Sequence, residues 1–278
     1  MDPVQRSRLD KALVDRGLVA TRSRAAQLIQ SGAVTVDGHP ADRPAQKVLP
    51  EQEIALQRED PWVSRAAHKL LGALEACPAV SVAGRRCLDA GASTGGFTQV
   101  LLSRGAEQVV AVDVGHGQLA PALREDPRVE NHEGLNLRNL EPGRLGAPFD
   151  LIVADLSFIS LQLVMAPLAR QAQPGGDLLM MVKPQFEVGR ERLARTGVVT
   201  SPPLRREAVA GVAGSAVRAG LGLESVHRSA LAGQDGNLEF FLHLRRPLNP
   251  PPQGRAESQA VMSEVDSKLG NVDFGDKE

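Results

Sequence analysis

From residue 86 to residue 244, seven short apolar runs alternate with stretches that mostly show helical spacing: 86–90, 108–112, 128–131, 149–154, 177–182, 223–227 and 238–244. Runs of this length read as strands, and a parallel connection between strands needs a crossover long enough to hold a helix. The pattern predicts a doubly wound α/β sheet of about seven strands. Such sheets bind their ligands beyond the carboxyl ends of the strands. A further helix is expected at 64–76, ahead of the first strand.

Upstream, residues 8–57 read as a compact α+β module. Leu9, Leu13 and Val14 recur at helical spacing as far as Gly17, and Thr21 can cap a second helix with Ala25, Ala26, Leu28 and Ile29 on one face, ended by Gly32. An alternating run at 33–36 then meets Asp37-Gly38, a hairpin-turn signal, and 53–56 supplies another short strand. Arg6, Arg8, Arg22 and Arg24 cluster on and before the helices. Such a cluster suits nucleic-acid phosphates and equally a solvated face. From Pro247 a proline-rich run leads into an acidic polar stretch, whose composition predicts disorder with at most a short helix. The expected organisation is a basic module at 6–58, a linker at 59–64, the α/β domain at 65–246 and a disordered acidic tail at 247–278.

Composition narrows the function classes. The 278 residues carry 32 basic and 33 acidic side chains, yet residues 1–30 hold six basic and three acidic groups and residues 251–278 hold the reverse. Only six of the basic residues are lysines. Lysine can lose its proton and arginine effectively cannot, so a lysine at a strand end stands out in this chain. The longest apolar stretch free of Asp, Glu, Lys and Arg is 156–169, 14 residues, short of the roughly 20 that a membrane-crossing helix needs. No leader pattern is visible, and Cys77 and Cys87 cannot make a disulfide framework or a cysteine-rich zinc site. His39, His68, His116, His132, His227 and His243 lack metal-ligand spacing. A cytoplasmic, metal-free protein is expected, with no membrane association.

The run from Cys87 to Phe97, C-L-D-A-G-A-S-T-G-G-F, places a small-residue loop between the first strand and a helix. Glycine there allows the backbone to approach a ligand closely. A dinucleotide fingerprint would want glycine where Ser93 stands, and a P-loop would want lysine where Phe97 stands. Asp89 followed by G-x-x-x-G-G is similar to motif I of class I methyltransferases. By that resemblance Asp89, Gly91, Ala92, Ser93, Thr94, Gly95, Gly96 and Phe97 form the S-adenosylmethionine site. Asp113, at the end of the second strand, stands where an acid accepts hydrogen bonds from ribose hydroxyls, a feature shared with NAD sites. Cys87 is expected to pack within its strand.

The fourth strand ends in V-A-D-L-S-F, residues 153–158. Enzymes that methylate exocyclic amines usually carry Asp/Asn-Pro-Pro-aromatic here, and carbon-5 pyrimidine methylation needs a cysteine; neither is present. A hydroxyl acceptor remains. A ribose 2′-hydroxyl is a weak acid that needs a positioned base, and a lysine beside a sulfonium in a dry pocket can be shifted toward neutrality. Lys183 ends the fifth strand, Lys69 lies on the helix before the first and Glu239 on the last. Singly, each could be a surface charge or a salt bridge. Together, Lys69, Asp155, Lys183 and Glu239 resemble the K-D-K-E set of FtsJ-type ribose 2′-O-methyltransferases. That resemblance implies that Lys183 takes the proton or holds the 2′-oxygen in line, that Asp155 and Glu239 orient the lysines, and that Lys69 positions the ribose and adjacent phosphate. Asp155 also borders the cofactor.

Arg8-Leu9-Asp10, Ser23-Arg24, Ala26, Ile29, Gly32, Val34, Val36 and Asp37-Gly38 resemble the S4 RNA-binding domain, which implies phosphate contacts for Arg22 and Arg24. With 62–70, 88–97, 154–160 and 182–189, the whole from about Arg6 to Arg245 resembles the TlyA (hemolysin A) family of ribosomal RNA cytidine 2′-O-methyltransferases. The resemblance implies a Rossmann-like class I methyltransferase sheet joined to an S4-like domain, with S-adenosylmethionine as cofactor and ribosomal RNA or ribosomal subunits as partner. Arg6, Arg8 and Arg65 join Arg22 and Arg24 as RNA contacts. It also implies action on large-subunit (23S) rRNA and, in a subgroup with longer termini, on small-subunit (16S) rRNA, with increased susceptibility to capreomycin-type antibiotics. Arg6, Arg8 and the extended C-terminus lean toward that dual type. In the linker, Asp60-Pro61 replaces the family's basic residue two before Trp62. Two rivals stay open: a non-enzymatic RNA-binding or assembly factor, and the membrane damage of the older family name. For Phe158 and Phe186, core packing is favoured over stacking on a flipped nucleoside. The oligomeric state is left open.

Overall fold

The computed structural model describes residues 6–30, 32–56, 61–233, 235–249 and 258–275, with the side chains of 258–262 and 264 left aside. Asp60 of the linker therefore lies outside the described residues. The chain divides into two units, Met1–Pro61 and Trp62–Glu278.

The first unit runs β1 (Ser7–Arg8), α1 (Leu9–Asp15), α2 (Arg22–Gln30), β2 (Val34–Val36), β3 (His39–Pro40), β4 (Lys47–Val48) and β5 (Ile54–Leu56). β2 is the centre of an antiparallel three-stranded sheet, and β1 pairs with β4. Leu9 and Leu13, like Ala25 and Ile29, lie four residues apart, which puts each pair on one stripe of its helix. All four are fully buried with Val34. The Thr21 hydroxyl accepts the Arg24 N–H at 3.3 Å and so caps α2. Asp37 and Gly38 both take positive φ, 51° and 78°, as a two-residue I′ hairpin turn requires.

The second unit runs α3 (Ala66–Ala76), β6 (Arg86–Ala90), α4 (Gly96–Ser103), β7 (Gln108–Asp113), α5 (Pro121–Arg124), β8 (Val129–Glu133), β9 (Phe149–Ala154), α6 (Met165–Gln171), β10 (Ala172–Val182), α7 (Pro184–Glu187), α8 (Pro202–Arg218), β11 (Gly222–Arg228), β12 (Phe240–Arg245) and α9 (Ser258–Leu269). Its sheet has seven strands in the order β11-β12-β10-β9-β6-β7-β8, with β12 antiparallel to both neighbours and the other pairings parallel. Successive side chains of a strand face opposite sides, and the core divides accordingly. Leu88, Val110, Ile152 and Met180 pack with α6 and α8, whereas Cys87, Val109, Leu151 and Leu179 pack with α3 and α4. The strands read as unbroken apolar runs because both faces are covered. The order reverses between β6 and β9, which opens a crevice at their carboxyl ends.

The tail departs from expectation. Composition predicts disorder over 247–278 with at most a short helix; residues 250–257 and 276–278 lie outside the described residues, and in the rest α9 spans about three turns and packs on α8 and β11, with Val265, Leu269 and Phe274 buried. Phe274 sits 5.0 Å from Phe240, ring centre to ring centre. Arg206 meets Asp266 at 3.0 Å and Arg228 meets Asp273 at 2.7 Å. An average composition hides two apolar residues four apart and acids that match arginines on the facing elements.

Candidate active site

The loop after β6 is held by its own neighbours. Gly91 (φ +89°) lies so close to the β9 exit that a Cβ would stand 2.7 Å from the Asp155 carbonyl oxygen. At Gly95 (φ +96°) a Cβ would run into the Leu123 side chain, and at Gly96 it would meet the start of α3 at 3.1 Å. These glycines answer to crowding inside the protein, where ligand approach is the reason the motif suggests. The loop borders a cleft of about 650 Å³ lined by Gly91, Ser93, Asp113, Leu135, Asn136 and Asp155, among others. A smaller cavity of about 180 Å³ adjoins it, lined by Ser64, Ala92, Thr94, Phe97, Ser157 and Lys183, with Gly91, Ser93, Asp155 and Ser157 shared by both.

Asp113 ends β7 at the rim of the larger cleft. Its Oδ2 accepts the Ser93 N–H at 2.9 Å and its Oδ1 the Gly115 N–H at 2.7 Å. Each oxygen keeps a lone pair for a ligand hydroxyl. Asp89 is placed differently from expectation: it is fully buried and lines neither cavity. Its Oδ2 accepts the Thr98 hydroxyl at 2.6 Å, whereas Oδ1 is buried with no partner. Burial pushes this carboxyl up to about 7, partly offset by the Thr98 hydrogen bond. Asp89 therefore ties α4 to β6 from beneath the loop. Gly95 likewise lines neither cavity.

The four charged residues form two separate ion pairs. Lys183, which caps α7 just after β10, has Nζ 2.6 Å from Asp155 Oδ1 and donates a hydrogen bond to Ser157 Oγ at 2.9 Å. Asp155 lines both cavities and Lys183 the smaller. Lys69 and Glu239 pair at 2.5 Å, with side chains 11% and 2% exposed, and line neither cavity. Lys69 lies one turn along α3 from Ala66, which does line the smaller cavity. Glu239 stands one residue before β12, where the strand was expected to contain it.

Phe158 overturns the core-packing expectation. It is 91% exposed with φ +63°, lines the larger cleft, and tilts against Phe186 at 5.3 Å between ring centres. In the first unit, Arg6, Arg8, Arg22 and Arg24 are exposed, as is Arg65 in the second. Arg8 grips the buried Asp10 through two hydrogen bonds, 3.0 and 2.9 Å, and Arg22 reaches the same carboxylate at 2.9 Å. Led by the Arg8 hydrogen bond, these contacts hold Asp10 well below the usual carboxylate range. Two of the expected RNA contacts are thus also structural. Val114, Gly115, Gln118, Leu135, Asn136 and Arg138 line the cleft without having been singled out. Their signal lay in the sequence: each follows the end of β7 or β8, the edge where such sheets bind.

A glycine-rich loop, an acid ending the second strand and a lysine–carboxylate pair at the switch point define a methyltransferase of the FtsJ type. Residues 62–246 match the FtsJ-like methyltransferase model and residues 7–54 the S4 domain, and the chain belongs to this family in its TlyA branch. It is 52% identical over 243 residues to the 16S/23S rRNA (cytidine-2′-O)-methyltransferase TlyA of Mycobacterium tuberculosis, covering 87% of this chain and 90% of that one. It is 33% identical to Hemolysin A of Brachyspira hyodysenteriae, over 85% of this chain and 98% of the relative. A solved structure described as a hemolysin from Streptococcus thermophilus superposes with a TM-score of 0.68 at 34% identity, covering 96% of this chain and 98% of that one. Among the described residues, no helix is long and apolar enough to cross a membrane and no cluster of side chains could hold a metal ion.

Proposed function

We propose that this chain transfers a methyl group from S-adenosylmethionine to the 2′-hydroxyl of a cytidine ribose in ribosomal RNA, in the cytoplasm. The observation that carries the reading is the Lys183–Asp155–Ser157 cluster at the junction of two adjoining cavities. The name of the Mycobacterium tuberculosis relative supports cytidine and supports both 16S and 23S rRNA as substrates. The residues present fit the cofactor. The larger cleft is within the size range of small-molecule sites, and at its rim Asp113 offers the acceptors that ribose hydroxyls need. Gly91, Ala92, Ser93, Thr94, Gly96 and Phe97 would wall the methionine side. When bound, S-adenosylmethionine supplies an electrophilic methyl group.

The chain's own residues supply the rest. Lys183 holds the 2′-oxygen in line and receives its proton as the oxygen–carbon bond forms and the carbon–sulfur bond breaks, with Asp155 2.6 Å from its Nζ to balance the charge. Ser157 fixes the lysine through its hydroxyl. The exposed ring of Phe158 gives a base removed from its stack a surface to rest on. The Lys69–Glu239 pair holds α3 against the start of β12 and so shapes the wall formed by Ser64 and Ala66. Arg6, Arg8, Arg22, Arg24 and Arg65 contact RNA phosphates.

Labelled methyl transfer to assembled ribosomal subunits tests the reading. Lys183→Ala is expected to lower transfer by about 100-fold or more, the usual worth of a positioned base, while cofactor binding measured by calorimetry stays within a few-fold of wild type. Full transfer by Lys183→Ala would contradict the assignment.

A further inference from the structure

The exits of β9 and β10 carry Asp155 and Lys183, and both strands turn away within a few residues. Glu187, the last residue of α7, bridges them with the most contacts. It accepts the Ser160 hydroxyl at 2.5 Å, the Leu161 N–H at 2.7 Å and the Gln162 side-chain amide at 3.3 Å. Three further contacts cross the same gap, Lys183 to Asp155, Lys183 to Ser157 and Phe186 to Phe158. Between the strand end and the Glu187 anchor the chain passes through Phe158, a non-glycine residue with φ +63°. Residues in that conformation persist only where their surroundings fix them.

We infer that Glu187 is a positioning residue for the methyl-transfer site, bolting the 156–162 loop to α7 so that Asp155 and Ser157 meet Lys183. This rests on the roles given above to Lys183 and Asp155. Glu187 touches neither cavity. Its contribution is acceptor geometry: its three partners all donate, and none is a cation. A neutral amide of the same shape can still accept from the Leu161 N–H and donate to Ser160 Oγ, whose hydroxyl can turn to accept, and loses only the longest contact, from Gln162, unless that amide turns its carbonyl inward. Glu187→Gln should therefore recover most of what Glu187→Ala loses.

The test combines kinetics with lysine labelling of the full chain by an amine-acylating reagent, read by mass spectrometry. For Glu187→Ala, kcat of methyl transfer should fall at least tenfold while the cofactor Kd changes less than threefold. Lys183 labelling should rise at least fivefold, with Lys69, in its separate pair, as the unchanged control. Glu187→Gln should stay within about threefold of wild type in both readouts. If Glu187→Ala unfolds, shown by equal gains at Lys69 and Lys183, Ser160→Ala decides, with an expected rise of about twofold at Lys183 alone. Lys183 labelling and kcat within twofold of wild type in the Ala variant, no rise at Lys183 in the Ser160 variant, or a Gln variant as damaged as the Ala variant would each overturn the inference. Should wild type transfer no methyl group to RNA, the functional reading fails, and Lys183 labelling alone still decides the role of Glu187.

Discussion

Two lysine–carboxylate pairs that look equivalent in sequence carry different energetic burdens. The lysines are equally sealed, 11% exposed each, and the pairs differ at the carboxylate, 2% exposed for Glu239 and 14% for Asp155, which also borders both cavities. Removing one partner leaves a buried charge uncompensated, at a cost of about 3–5 kcal/mol. Glu239→Ala should therefore lose stability in a urea titration together with activity. Lys183→Ala leaves Asp155 at the edge of two cavities that water can enter, and should lose activity with a smaller shift in midpoint. Equal midpoints for the two variants would contradict this division. His243 gives the pH dependence. Burial alone would lower its pKa, but the hydrogen bond to Asp177 at 3.0 Å, with Cys77 adding, raises it from 6.5 to about 9. A group raised on folding stabilises fully below its unfolded value, so this contribution is complete below pH 6.5 and lost as pH climbs through about 9. Its ceiling is about 3 kcal/mol at 1.36 kcal/mol per pH unit. Melting temperatures of wild type should fall across that window, and those of His243→Gln should fall less. The placement of Asp155 and Lys183 at strand ends was legible because strand ends follow from the length of apolar runs; their pairing in one set came from the resemblance. The burial of Asp89 and the sealing of Lys69 were not, since both depend on elements far away in sequence, and Glu187 gave no local signal.

At the scale of elements, β6 and β9 were legible residue for residue, as apolar runs with sharp boundaries covered on both faces. β1, β3 and β4, two residues each, are too short to show a period. The glycine loop was legible as a motif, and the structure adds a second reason for its glycines, crowding within the protein. Gly91→Ala would place a Cβ 2.7 Å from a backbone oxygen at φ +89°, and backbone yields less readily than a side chain. It should weaken cofactor binding at least tenfold (at about 1.4 kcal/mol per factor of ten) by forcing β6 and β9 apart at their exits. Calorimetry within twofold of wild type would show that the loop tolerates the methyl group. The C-terminal helix was hidden by the acidic average of its segment. Phe274→Ala should cost about 3–5 kcal/mol by denaturant unfolding, as for other buried phenylalanines, where a disordered tail would cost nothing.

At the scale of the molecule, a net charge of −1 conceals a basic first module. Charge counting alone overstates that module's free cations, because Arg8 and Arg22 already hold Asp10. Arg6→Ala should weaken binding to ribosomal RNA and flatten its dependence on salt, by a slope of roughly 0.7–0.9 for each phosphate contact removed. An unchanged slope would take Arg6 off the interface. The central claim is the acceptor atom. A methylated 2′-oxygen cannot attack its neighbouring phosphodiester, so alkali leaves that single linkage intact. Ribosomal RNA treated with wild-type protein and labelled S-adenosylmethionine, then hydrolysed in alkali, should yield its label in resistant dinucleotides beginning with cytidine, and none after treatment with Lys183→Ala. Label recovered in mononucleotides would place the methyl group on a base and contradict the account.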